Sequence, residues 1–334
     1  MSGAPRPTQP SGLGARGIGA AIGARLRARD LTAAPDALNL LESTTPADRE
    51  QAAALLREVS PRTLGHEAPG HIIGVTGPPG AGKSTLLSVL VRHLRDNGYE
   101  SVAVLAVDPS SRRSGGSLLG DRVRIQSDST DPRVFIRSTA AGERLGGLAR
   151  GTRAAAQALA AAFEIVVIET VGVGQAETEI ADVADTIAVV VQPGGGDVLQ
   201  FLKSGIMEIP DILIVTKADL GQIALGTQRD LTAALRSLGD RSTPVIAMSS
   251  LAPATEFDAL AQAFEQHRKR LDVTAHRERI RRAGALLDFI QEYGEHGLQA
   301  VGGRLAAEHL LEAQEPGLDM QALATVLERA AKNG

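Results

Sequence analysis

The chain has 334 residues, of which 43% are hydrophobic, 2% aromatic and none cysteine, and its formal net charge is −4. That balance fits a soluble protein with an aliphatic core, and it lacks the basic excess of a nucleic-acid binder. Without cysteine there are no disulfides, thiolate metal sites or cysteine nucleophiles. No apolar run reaches bilayer length and the first residues lack the apolar segment of a secretory signal, so the expected location is cytoplasmic, with no membrane and no nucleic-acid partner.

Residues 1–18 are rich in Pro, Gly and Ser and read as a disordered N-terminus. Residues 19–65 read as an N-terminal helical extension carrying Ile22, Leu26, Leu38, Leu40 and Leu41, with Thr45-Pro46-Ala47-Asp48 as a helix start. From 66 to 254 the pattern alternates. Short β-branched runs stand at 72–76, 102–107, 134–137, 165–169, 186–191, 211–215 and 244–248, separated by helical segments such as 86–97, 144–162 and 227–238. Continuous apolar strands between helices imply an α/β fold with a mostly parallel central sheet flanked by helices. Beyond 255 the strands stop. Segments 256–271, 276–293, 302–313 and 319–331 are helical in period, so 255–334 reads as a C-terminal helical arm.

Four stretches inside the alternating region carry chemistry. Gly77-Pro78-Pro79-Gly80-Ala81-Gly82-Lys83-Ser84-Thr85 fits G-x-x-x-x-G-K-[ST] between a strand and a helix, the context of a phosphate-binding loop. Successive N–H groups and the helix N-terminus favour an anion there; Lys83 would reach the β- and γ-phosphates and Ser84 would ligate Mg2+. The second strand ends in Asp108, followed by a Gly-Gly-Ser run and Asp121. Strand-end carboxylates beside the phosphate loop are candidate magnesium ligands, directly or through water. The strand Ile165–Ile168 ends in Glu169-x-x-Gly172, where Gly172 could set its N–H against a γ-phosphate, Glu169 would act in the magnesium shell or position water, and Gln175 could orient the attacking water.

The fourth stretch ends a strand in Thr216-Lys217-Ala218-Asp219. A carboxylate at Asp219 accepts from the ring N–H and amino group of guanine, whereas adenine would present it with a lone pair, a mismatch of about a few kcal/mol. The Lys217 stem would lie along the base. Thr216 stands where the usual guanine motif has Asn; it keeps a hydroxyl and loses an amide.

Together, GVTGPPGAGKSTL, VDPSSRRSGGSLLGDRVRI, VVIETVGVGQAE and QPGGGDVLQFLKSGIMEIPDILIVTKADL resemble the MeaB/ArgK family of P-loop GTPases over roughly residues 72–220. The resemblance implies a P-loop NTPase fold, GTP and GDP with Mg2+ as ligands, and slow hydrolysis without a partner. It further implies a chaperone role toward an adenosylcobalamin-dependent acyl-CoA mutase of the methylmalonyl-CoA mutase type, gating cofactor loading and protecting the mutase from inactivation. By the same resemblance the C-terminal helices form a homodimer, and Gln192 to Lys203 is a switch loop relaying nucleotide state. Ser249, Ser250 and Leu251 are a loose version of the family's base-bracing loop. Two further readings stand beside it. A kinase of periplasmic amino-acid-binding proteins would use ATP, against Asp219. A nickel metallochaperone would want Cys or clustered His, against seven scattered histidines.

Overall fold

The structure, a computed structural model, describes residues 17–108, 131–140, 148–170, 179–194 and 210–333. At its centre is a seven-stranded, all-parallel sheet: β1 (His71–Thr76), β2 (Val102–Asp108), β3 (Val134–Ala140), β4 (Ile165–Glu169), β5 (Thr186–Val191), β6 (Ile212–Val215) and β7 (Val245–Ala247), in the order β3-β2-β4-β1-β5-β6-β7. All seven apolar runs of the sequence are strands, because a parallel sheet covered on both faces needs side chains that can be buried on either side. The two-residue period then sorts them. Ile72, Leu105, Val166, Ile168, Val189, Leu213 and Val215 face one core, and Ile73, Val75, Val104, Val167, Val190, Ile212 and Ile214 face the other.

The first core is closed by α1 (Gly17–Arg27), α2 (Ala34–Glu42), α3 (Pro46–Glu58), α6 (Arg150–Leu159) and α7 (Gln222–Ser237), so Ile22, Leu26, Leu38 and Leu55 share one interior with the sheet. Helix α3 starts where its sequence requires: Thr45 accepts from Asp48 N at 3.3 Å and Pro46 opens the first turn. Between α3 and β1 lies the single turn α4 (Pro61–Leu64). The second core is closed by α5 (Lys83–Asp96) and α8 (Phe257–Arg270) through Leu86, Leu87, Leu90, Phe257, Leu260 and Phe264.

A third core belongs to the last helices alone: α9 (Val273–Ala300), α10 (Arg304–Glu312) and α11 (Met320–Asn333) bury Ala285, Leu286, Phe289, Leu311, Leu323 and Leu327 against each other. The α9 run extends to Ala300 with one non-helical residue, Gly294, at φ 63°. Charged pairs tie α9 to the body of the fold. Arg277 donates to both oxygens of Asp185 at 2.8 and 2.6 Å, and Asp185 also accepts from Ile72 N at 2.8 Å. Arg281 donates to both oxygens of Glu67 at 2.8 Å, and Arg153 and Arg150 meet Asp288.

At the N-terminal edge of the sheet, polar side chains join β1, β5 and α8. His71 Nε2 is 2.7 Å from Thr186 Oγ1, which is 2.8 Å from His267 Nδ1, and His267 Nε2 is 3.1 Å from Asp211 Oδ1. Burial pushes the His71 imidazole down to about 3, so the ring is neutral.

Among the described residues no helix is long and apolar enough to cross a membrane.

Candidate functional site

The strand order places the site. Chain direction across the sheet reverses about β1, with β4 on one side and β5 on the other, and ligands of open α/β sheets bind at the carboxyl ends of the strands at such a point. Residues 77–82 leave β1 at that end. Gly77, Gly80 and Gly82 have φ of 140°, 78° and 94°, values a side chain rarely permits. At Gly77 a Cβ would also stand 2.0 Å from Val190 O. Helix α5 begins directly at Lys83, earlier than the period of its apolar face shows, because Gly82 in the left-handed region starts it. With no acidic residue in its first turn, its N-terminal N–H groups meet no competing carboxylate of their own.

Four carbonyls of this loop are held by side chains. Lys83 Nζ, on a residue only 7% exposed, donates to Gly77 O at 2.6 Å and Pro78 O at 3.1 Å. Lys217 Nζ is 3.4 Å from Gly80 O and 3.0 Å from Gln192 Oε1, and Thr216 Oγ1 donates to Ala81 O at 2.6 Å. Pro79 is exposed, as is the Thr85 side chain.

Beside the loop, Ser84 Oγ donates to Glu169 Oε1 at 2.7 Å. One step deeper, Thr170 Oγ1 bonds Thr76 Oγ1 at 2.7 Å and Thr170 N bonds Val75 O at 3.0 Å, so the ends of β1 and β4 are fixed to each other. Asp108 is the last residue of β2, two positions beyond Ala106, which pairs with Glu169. The Asp108 side chain lies outside the described residues, as do Asp121, Gly172, Gln175 and the loop from 195 to 203.

The Thr-Lys-x-Asp motif leaves β6 through a left-handed Lys217, φ 55°. That turn sets Asp219, exposed, beside the loop after β7: Ser249 Oγ donates to Asp219 Oδ1 at 2.8 Å and accepts from Leu251 N at 3.2 Å, while Ala218 N bonds Met248 O at 3.1 Å. Ser250 follows with a half-buried side chain, and Leu251 is exposed. The structure thus gathers the glycine loop, Ser84, Glu169, Thr216, Lys217, Asp219 and Ser249 at one end of the sheet.

Sequence reasoning named Gln192 as the start of a switch loop without its contact to Lys217, and it missed the Thr76–Thr170 pair. The available signal was position: each is a polar residue at the C-terminal end of an apolar strand on the loop side. Hard oxygen donors, a hydroxyl and a carboxylate already in contact, suit Mg2+.

Fold and site together place the chain among the P-loop nucleotide-binding proteins. The family model described as "Methylmalonyl Co-A mutase-associated GTPase MeaB" matches residues 34–299, and the chain belongs to that family of GTPases. A Pyrococcus abyssi protein named as a GTPase is 46% identical over 196 residues, 58% of this chain and 58% of that protein. A Mycobacterium tuberculosis protein named as a GTPase is 42% identical over 254 residues, 73% of each chain. The chain therefore spans little more than half the length of the first of these relatives. The crystal structure of a LAO/AO transport system kinase shares the fold, with a TM-score of 0.60 and 23% identity over 95% of this chain and 97% of that one.

Proposed function

We propose that the protein binds and hydrolyses GTP, and that the GTP and GDP states gate adenosylcobalamin loading and protect an acyl-CoA mutase of the methylmalonyl-CoA mutase type. The observation that carries the site reading is the contact between Ser84 at the helix start and Glu169 at the strand end, next to a loop whose carbonyls are turned onto Lys83, Lys217 and Thr216. Those bonds occupy carbonyls rather than amides, and of the loop's amides Ala81 N donates to Pro78 O. The partner reading rests on the family description, which names the mutase.

In this reading the loop 77–82 and the N-terminus of α5 hold the β- and γ-phosphates, and Lys83 exchanges its carbonyl partners for phosphate oxygens. Ser84 and Glu169, with Asp108 and Asp121, hold Mg2+, which supplies neutralising charge on the phosphate oxygens. Gly172 offers its N–H to the γ-phosphate, and Gln175 or Glu169 orients the water. Asp219, held by Ser249, reads the base. Hydrolysis is slow until a partner completes the water-positioning geometry. A homodimer through the C-terminal helices and a cytoplasmic location belong to the same reading.

Calorimetry with GDP, a non-hydrolysable GTP analogue and ATP decides the base; tighter ATP than GDP binding overturns the GTPase reading. A pull-down from the source cell that recovers no acyl-CoA mutase or cobalamin enzyme removes the chaperone role.

A further inference from the structure

Thr216 lies at the end of β6 with 4% exposure. Its Oγ1 is 2.6 Å from Ala81 O and 3.2 Å from Val191 O, and Val191 O already accepts Thr216 N at 3.0 Å. A threonine hydroxyl has one hydrogen. The shorter contact, to an Ala81 that is itself fully buried, takes it. The hydroxyl then has nothing left to donate to an acceptor on a base.

The bond has a second effect. The peptide unit between Ala81 and Gly82 is planar, with C=O and N–H pointing in opposite directions. Fixing the Ala81 carbonyl therefore fixes the Gly82 N–H, one of the amides of the phosphate loop. Gly80 and Gly82, on either side, are both left-handed and carry no side chain that could hold this unit.

We propose that Thr216 is a positioning residue of the phosphate loop and takes no part in reading the base, so that selection of guanine falls on Asp219 braced by Ser249. The proposal rests on the guanine-nucleotide reading above, and it moves Thr216 from the base contacts to the phosphate side of the site.

The test is a displacement titration with a fluorescent GDP analogue and three competitors: GDP, IDP, which lacks the 2-amino group, and inorganic pyrophosphate, which has no base. Thr216→Val keeps shape and removes the hydroxyl. It weakens all three competitors by a common factor of roughly ten, leaving the GDP-to-IDP ratio as in the wild type. Thr216→Ser restores all three to within about twofold. Asp219→Asn does the reverse: pyrophosphate is unchanged and the GDP-to-IDP ratio collapses. The proposal is overturned if Thr216→Val leaves pyrophosphate binding intact while weakening GDP, if it narrows the GDP-to-IDP ratio, or if it changes nothing. Should the valine variant fail to melt cooperatively, Thr216→Ala is read in the same way against Thr216→Ser. A wild-type protein that prefers ADP to GDP would end the guanine reading, while the pyrophosphate arm would still judge Thr216.

Discussion

Glu169 and Ser84 are 85 residues apart in sequence and meet over a 2.7 Å hydrogen bond. A carboxylate only 8% exposed is costly to bury unless something answers its charge. On the proposed reading, a divalent cation shared by the two side chains would answer that charge. Glu169→Gln keeps length and can still accept from Ser84, so GDP binding should stay within a few fold. Hydrolysis should fall by roughly 10²-fold, with a higher Mg2+ requirement. Phosphate release measured across a magnesium series checks this; an unchanged rate and magnesium dependence would take Glu169 out of the metal shell.

Glycine positions differ just as sharply in what they tolerate. At Gly77 an added Cβ would stand 2.0 Å from Val190 O, a backbone atom of the neighbouring strand that has nowhere to go. At Gly80 an added Cβ meets nothing within 4 Å and carries only the strain of φ 78°. Gly77→Ala should therefore cost more than ~3 kcal/mol and abolish nucleotide binding, while Gly80→Ala should cost about 1 kcal/mol. Denaturant melts of the two variants side by side make the comparison.

At the scale of elements, the strands were legible and the helix starts less so. Strand runs such as Ile165–Ile168 and Thr186–Val191 are apolar throughout because both faces are covered, and that signal survives in a single sequence. Helices α5 and α7 begin earlier than their apolar periods, at Lys83 and Gln222, because Gly82 and Gly221 with positive φ set the starts, and a glycine does not announce its dihedral. The four stretches could be picked out because each is local; of them the structure describes residues 77–85, the strand ends Asp108 and Glu169, and 216–219. Bonds between distant segments could not: Arg277 to Asp185 spans 92 residues and Thr216 to Ala81 spans 135, and no periodicity links such pairs. Thr216 read alone is an imperfect base-reading residue; its hydrogen bond to Ala81 O points to the phosphate loop instead.

For the molecule as a whole, a neutral buried histidine sets part of the response to acid. His71 has a folded-state value of about 3, below its unfolded value near 6.5, with burial as the first cause and the Asp185 charge opposing it. Between those two values the unfolded chain binds the extra proton, so stability rises with pH through the window. It is fully present above about pH 6.5 and is lost as pH falls toward 3. In the middle of the window the slope due to this one residue approaches about 1.4 kcal/mol per pH unit. His71→Gln, which can still bond Thr186 and does not titrate, should flatten the stability curve from pH 6 to 4.5 in chemical-denaturation series. An unchanged slope would mean that His71 is not the group responsible.

The C-terminal helices, with a core of their own and ion pairs among their anchors, should open as a separate unit. Breaking Arg277–Asp185 by Arg277→Ala leaves a buried charge unanswered, at a cost of about 3–5 kcal/mol to the attachment, while the helices keep Phe289, Leu311 and Leu327 packed together. Under native conditions the amides of α10 and α11 should exchange with deuterium as one group, at a rate distinct from that of β1, β4 and β5, and Arg277→Ala should speed the release of α9 ahead of the sheet. A nucleotide bound at the far end of the sheet would protect the strands first, and the lag before the helices follow would be a direct reading of how much of the nucleotide's binding energy crosses to the arm.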